Sequence, residues 1–247
     1  MYFHCKLVIL ILALTLDGQV YTGEIIGGHE AVPHSRPYMV LLVQHMEDNK
    51  TKHCGGFLLN EDFVMTAAHC QAKSYNVLLG VHDFFNTHQV QNISVEKAFP
   101  HKDYDAIRFK NDIMLLKLKS KAHFNKNVKP IALAGQDDGS LPKSCIVSGW
   151  GRSNENNNLM SVKLMEVNVT LTDNEMCAQN QCYCSEGETG PGKGDSGGPL
   201  VCEDGKAYGV VATSAKLAAS KTIYAYTKIP ESMKWINSMM EHVYLST

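Results

Sequence analysis

Short apolar runs alternate with turn-rich stretches along most of this chain. Tyr38–Val43, Asn76–Gly80 and Ile113–Leu118 are dominated by Val, Ile, Leu, Met and Tyr, and stretches rich in Gly, Asn, Asp, Ser and Pro separate them. That pattern predicts strands, and its recurrence predicts an all-β chain. Near the C-terminus the period changes. Met233, Ile236 and Met240 recur at helical spacing within 232–242 and Val243 continues the pattern just beyond it, which predicts a short amphipathic helix whose apolar face packs rather than binds. At the N-terminus, Lys6 precedes the apolar run Leu7–Leu14, and small residues follow near Thr22-Gly23, as in a secretory signal peptide cleaved after Thr22. The run stops before Asp17, short of the roughly 20 apolar residues that a membrane span needs, and no later segment is long and apolar enough to cross a bilayer. Asn154–Asn158 reads as a polar loop, and the chain has no internal repeat.

Composition adds a compartment. At 247 residues and 44% hydrophobic content the chain can bury a sizeable core. Beyond Cys5, seven cysteines remain: Cys54, Cys70, Cys145, Cys177, Cys182, Cys184 and Cys202. A secreted chain should pair most of them and leave one over, free or intermolecular, the latter giving a disulfide dimer of an otherwise monomeric protein. Cys182-Tyr183-Cys184 lacks nearby His or Cys partners, so no metal site is expected there. Asn49, Asn92 and Asn168 each open a glycosylation sequon. Lys and Arg number 23 against 25 Asp and Glu, and no glycine motif of a nucleotide site occurs. Neither a nucleic-acid partner nor a cofactor is expected.

The chemistry lies in three segments, Thr66-Ala67-Ala68-His69-Cys70, Asn111-Asp112-Ile113-Met114-Leu115-Leu116 and Gly194-Asp195-Ser196-Gly197-Gly198-Pro199. A serine hydroxyl is a poor nucleophile at neutral pH. An imidazole must take its proton, and a buried carboxylate must hold that imidazole in one tautomer. Ser196 is the candidate nucleophile, His69 the base and Asp112 the orienting acid. The backbone N–H groups of Gly194 and Ser196 are candidates for an oxyanion hole. Gly194–Gly198 also fits the G-x-S-x-G elbow of α/β-hydrolases, but that fold places its acid and histidine after the serine. About 50 residues follow Ser196, too few for the rest of such a sheet.

With the order His, Asp, Ser and these flanking residues, the chain from Ile25 onward resembles the trypsin/chymotrypsin family of serine proteases. The resemblance implies two antiparallel six-stranded β-barrels, 25–247, with the site between them, and cleavage of protein or peptide substrates through an acyl-enzyme. It implies disulfides Cys54–Cys70 and Cys145–Cys202, with Cys177 taking Cys182 or Cys184. Gly23-Glu24 before Ile25-Ile26-Gly27-Gly28 resembles the activation dipeptide of granzymes, mast-cell chymases and cathepsin G, removed by a dipeptidyl peptidase. The freed Ile25 ammonium would then pair with Asp195. Pro33–Met39 and the absence of a cysteine near Gly192 resemble the same branch. That branch implies secretion or storage in cytoplasmic granules, a role in immune defence, serpin inhibitors and proteoglycan partners. The near-neutral charge argues against strong proteoglycan binding, whereas 11 histidines would add positive charge in an acidic granule.

By the same resemblance the substrate cleft is lined by Gly190, Pro191, Lys193, Ala212, Thr213, Ser214 and Tyr224. No acid stands at Gly190 to pair with a substrate Lys or Arg, so non-tryptic specificity is expected. Tyr224 either shortens the primary pocket, meets a polar substrate group, or turns away into the barrel. Ala212 replaces a serine that usually helps hold the triad aspartate, and Thr213 an aromatic residue. The loop Gly80–Val90 has His82, Asp83 and His88 but no glutamate, so no calcium site is expected. The rival reading is a protease-fold binding or antimicrobial protein with little catalysis.

Overall fold

The computed structural model describes residues 25–135, 142–152, 159–217 and 221–246. The signal segment, Gly23-Glu24 and Asn154–Asn158 lie outside them.

Thirteen strands and two helices are present among the described residues. Strands β2 (Met39–His45), β3 (Thr51–Leu58), β4 (Phe63–Thr66), β5 (Ser74–Leu79), β6 (Gln91–Pro100) and β7 (Met114–Leu118) close an antiparallel barrel in the order β2-β3-β4-β7-β6-β5. The expected runs Tyr38–Val43, Asn76–Gly80 and Ile113–Leu118 form β2, β5 and β7 almost to the residue. Their inward side chains Val40, Leu42, Val77, Leu79 and Leu115 are fully buried with Phe57 and Val64. Closure leaves no sheet edge to protect, so the barrel needs no covering layer.

The second barrel is built from β8 (Ser144–Gly149), β9 (Met165–Thr172), β10 (Cys182–Gly187), β11 (Pro199–Cys202), β12 (Ala207–Lys216) and β13 (Thr222–Lys228). The order runs β9-β10-β13-β12-β11-β8, and the β8–β9 pairing closes the ring. On β9 the period of two is visible: Val167, Val169 and Leu171 are buried, while Asn168 and Thr170 between them are exposed. Strand β1 (His29–Glu30) adds to the outside of β9.

Short α1 (Glu175–Gln179) is tied to β10 by a disulfide, and α2 (Ile229–Ser246) ends the chain. The helix is longer than the sequence pattern indicated. Its buried stripe begins a turn earlier, at Ile229, and Pro230 sits in the first turn, where its missing N–H removes no helical hydrogen bond. Ile229, Ile236 and Val243 join the core of the first barrel, so the last element of the chain seals the first half of the fold. None of the described helices is long and apolar enough to cross a membrane.

Candidate active site

Each candidate residue sits where a strand ends. His69 lies in the 3₁₀ turn Ala68–Cys70 after β4, Asp112 just before β7, and Ser196 in the turn entering β11. Strand ends fix the backbone while leaving the side chain outside the hydrogen-bond ladder, which is the way a rigid scaffold presents loop residues. The two barrels meet at the serine: the Gly55 N–H on β3 donates to the Ser196 carbonyl at 2.7 Å. Gly197 (φ 84°) packs against Gly55 and Thr66, where any side chain would collide with backbone. A larger residue there would push the Ser196 turn away from the histidine turn.

Asp112 holds His69 twice. Its Oδ1 accepts the His69 backbone N–H at 2.8 Å, and its Oδ2 lies 2.6 Å from His69 Nδ1. The carboxylate is fully buried, whereas the imidazole is 25% exposed toward solvent. Because an ionised carboxylate only accepts, Nδ1 carries the proton in this arrangement and Nε2 is left as the acceptor. The Phe109 ring stands edge-on to the imidazole, with centroids 6.4 Å apart.

Disulfides brace these turns. Cys54–Cys70 ties β3 to the histidine turn, Cys145–Cys202 ties β8 to β11, and Cys177–Cys184 ties α1 to β10. Cys177 therefore takes Cys184, and among the described residues Cys182 is the cysteine left without a disulfide. Its thiol is buried and is pushed up to about 11, mainly by burial. A sulfur so placed is not presented for an intermolecular bridge. Cys54, His69 and Cys70 cluster closely enough to suggest a metal, but both sulfurs are spent in a disulfide and cannot ligate as thiolates.

Behind the serine, Asp195 is completely buried. Its Oδ1 accepts the Gly151 N–H at 2.7 Å and its Oδ2 the Gly192 N–H at 2.8 Å. Burial raises its carboxyl to about 6, against the lowering effect of those two amides. Glycines at 149 and 151 leave the room that the carboxylate fills. Ile25 is also fully buried, and Ile26 bridges to Gly190 through the Gly190 N–H, 3.1 Å from the Ile26 carbonyl. Gly194 has φ 105°, a conformation open to glycine, and among the described residues neither its N–H nor that of Ser196 has a protein acceptor.

Of the cleft residues, Gly190, Pro191, Ala212 and Tyr224 are buried, Thr213 is half-buried, and Lys193 and Ser214 are exposed. The Tyr224 ring lies directly on Gly190: a Cβ placed on that glycine would stand 2.6 Å from the ring. Ala212 occupies a bulge, the extra residue between the Val211–Tyr226 and Thr213–Ala225 pairs. Sequence reasoning missed Phe109, Ile107 and Ala225 near the cleft. Only the small side chain at Thr213 hinted that neighbouring space would be open. Elsewhere, Asn49, Asn92 and Asn168 are all exposed, as glycan acceptors must be. In the Gly80–Val90 loop, His82 Nε2 is 3.0 Å from Glu30.

This geometry is that of a serine hydrolase built on two six-stranded barrels, and comparison with known proteins gives the lineage. The family model Trypsin matches residues 25–236. The chain is 39% identical to mouse granzyme E over 246 residues, covering 95% of this chain and 98% of that protein. It is 41% identical to mouse mast cell protease 8, over 95% and 96% of the two chains, and 38% identical to human granzyme H, over 95% and 98%. A solved chain titled "Structure of GrC" superposes with a TM-score of 0.78 at 35% identity, covering 88% of this chain and all of its own. The chain belongs to the trypsin family, as a granzyme-like serine protease.

Proposed function

We propose that this protein is a secreted, granule-stored serine endopeptidase of immune defence, switched on by loss of Gly23-Glu24 and directed at non-tryptic sites. The observation that carries the catalytic reading is the double hold of buried Asp112 on His69, at the backbone N–H and at Nδ1. Ser196 Oγ attacks the substrate carbonyl carbon while His69 Nε2 takes its proton. The carbonyl electron pair moves to oxygen, which the N–H groups of Gly194 and Ser196 receive. Collapse expels the amine, protonated by His69, and leaves an ester on Ser196. Water, deprotonated by His69, then releases the acid.

The activation reading is supported by the buried carboxylate of Asp195, its raised titration, and hydrogen bonds that come from neutral backbone N–H groups of Gly151 and Gly192 and supply no compensating charge. A free Ile25 ammonium would supply the missing charge, and a dipeptidyl peptidase is the class of enzyme that would free it. In specificity, the Tyr224 ring on Gly190 favours small side chains before the scissile bond, and no acid at that glycine compensates a buried Lys or Arg. Serpins of matching preference would inhibit the enzyme. Proteoglycan would serve as a storage partner once the histidines charge in an acidic granule.

The experiment uses protein beginning at Ile25 against a peptide library varied at the residue before the scissile bond, with Ser196→Ala as control. Cleavage of peptides bearing small residues, lost in the control, is the expected result. Preference for Lys or Arg would overturn the pocket reading. Absence of cleavage by folded, processed protein would favour a binding protein, for which Ala212 and the Tyr224 ring are the supporting features.

A further inference from the structure

Asp112 is fully buried, and among the described residues it accepts two hydrogen bonds, both from His69. An ionised carboxylate offers about four acceptor sites. Half of that capacity is turned away from the histidine, in a place shielded from bulk water, where an unmet charge is costly. A second buried group has the opposite need. The Thr227 side chain is 3% exposed, and its Oγ1 has no hydrogen-bond partner. The sheet brings the two needs together. Strand β13 lies between β12 and β10, and Val210, Thr227 and Cys182 stand opposite one another across the three strands, so their side chains share one face of the sheet. At one end of this row, Val210 is buried in the core of the first barrel with Ala68 and Ile113, the chain neighbours of His69 and Asp112. At the other end, burial first and the Asp112 charge second raise the Cys182 thiol, against the opposing Lys228 and Lys110, so the carboxylate is near enough to be felt there. Thr227 stands between the two and faces the side of Asp112 that His69 leaves free. Ala212, in the bulge beside the row, has no polar side-chain atom to offer either group.

We infer that one buried water bridges Asp112 and the Thr227 hydroxyl, and that Thr227, acting through this water, is a positioning residue for the base His69. The inference rests on the proteolytic reading above. Its donors and acceptors balance. The Thr227 O–H donates to the water, and the water donates one hydrogen to the free side of the Asp112 carboxylate. Its second hydrogen goes to the Cys182 sulfur, which can accept because the Cys182 S–H donates to the Asn180 carbonyl at 3.5 Å. Three partners is the usual number for a buried water. A carboxylate tied on both sides cannot turn away from the imidazole it orients. The far donor also takes up part of the negative charge that would otherwise hold the His69 proton too tightly. Besides His69, Tyr104 and Cys182 feel the Asp112 charge. Both are raised above already high ordinary values, chiefly by burial, and stay neutral near pH 7, so a change in the acid limb of activity belongs to the His69 and Asp112 pair.

The test joins a crystal structure to a pH profile. Ser196→Ala protein beginning at Ile25 should show a water at about 2.5–3.0 Å from both an Asp112 oxygen and Thr227 Oγ1. In the active form, Thr227→Val keeps the side-chain shape and removes the hydroxyl. Its kcat/KM should fall about 10-fold, the size of one lost hydrogen bond to a charged group. The acid limb of its pH profile should move up by roughly 0.5 unit, because a carboxylate relieved of a donor holds the imidazole proton harder. Thr227→Ser, which restores the hydroxyl, should return both quantities to the parent values, a rescue that a purely packing role would not produce. The crystal structure and Thr227→Ser stand by themselves if Thr227→Val fails to fold. A Thr227 hydroxyl bonded directly to protein, no water touching both groups, or a folded Thr227→Val with the parent pH profile overturns the inference. A bridging water without any Ser196-dependent cleavage by the active form would sink the proteolytic reading and leave the water site standing. Cleavage by a protein without the bridge would do the reverse.

Discussion

Asp195 makes stability depend on pH in opposite directions before and after removal of Gly23-Glu24. In the folded chain burial raises its carboxyl from 3.8 to about 6. With the dipeptide attached there is no ammonium at Ile25, so folding favours the neutral acid. Its contribution is fully present below the unfolded value of 3.8 and is lost as pH rises through about 6. Ionising it at neutral pH costs about two pH units at 1.36 kcal/mol each, about 3 kcal/mol. For a domain of this size that is a fall in Tm of about 6–12 °C between acid and neutral pH. Once Ile25 carries a free ammonium, the attraction depresses the carboxyl instead. Stability is then present at neutral pH and lost as pH falls through the lowered value. The assay is thermal and urea unfolding of the dipeptide-bearing and Ile25-initiated forms, each with its Asp195→Asn variant, from about pH 4 to about pH 7.5. The quantity read is the difference between each parent and its variant, which cancels other titrating groups. If the dipeptide-bearing parent and its Asp195→Asn variant follow parallel pH profiles, the reasoning fails.

The triad and the disulfides give two further expectations. Asp112→Asn keeps the shape but lets the amide present its N–H to Nδ1, reversing the imidazole tautomer; kcat should fall about 10⁴-fold with the fold intact, the size seen in the reference serine-protease triad, as steady-state kinetics beside circular dichroism would show. Cys145–Cys202 closes a separation of 57 residues and Cys177–Cys184 one of 7. Replacing each pair with alanines should therefore cost about 2 kcal/mol more for the first, measured by urea unfolding; equal losses would mean that chain entropy does not set their worth.

Much of the site was legible because its chemistry is local. The three short segments carry their own turn glycines, and β2, β5 and β7 announce themselves in apolar runs that one strand suffices to explain. The start of α2 was not legible, because Ile229 reads equally well as the end of β13 until the first barrel supplies the surface that buries it. The choice between Cys182 and Cys184 was closed to sequence for a similar reason. Both lie on one face of β10, and only the placement of α1 selects Cys184 for Cys177.

The sequence by itself singled out the candidate nucleophile, base and acid, and determined the all-β class and the odd number of cysteines beyond Cys5, since each follows from residue type, order and short-range period. The tertiary structure decided which groups touch across long separations. His69 and Asp112, 43 residues apart, meet at 2.6 Å because β4 and β7 are neighbours in the first barrel. The Tyr224 ring of β13 likewise lies on Gly190, in the segment that follows β10, because β10 and β13 are paired neighbours in the second barrel. Such contacts depend on strand order, barrel closure and the volumes of distant side chains, quantities that no local window of the chain contains.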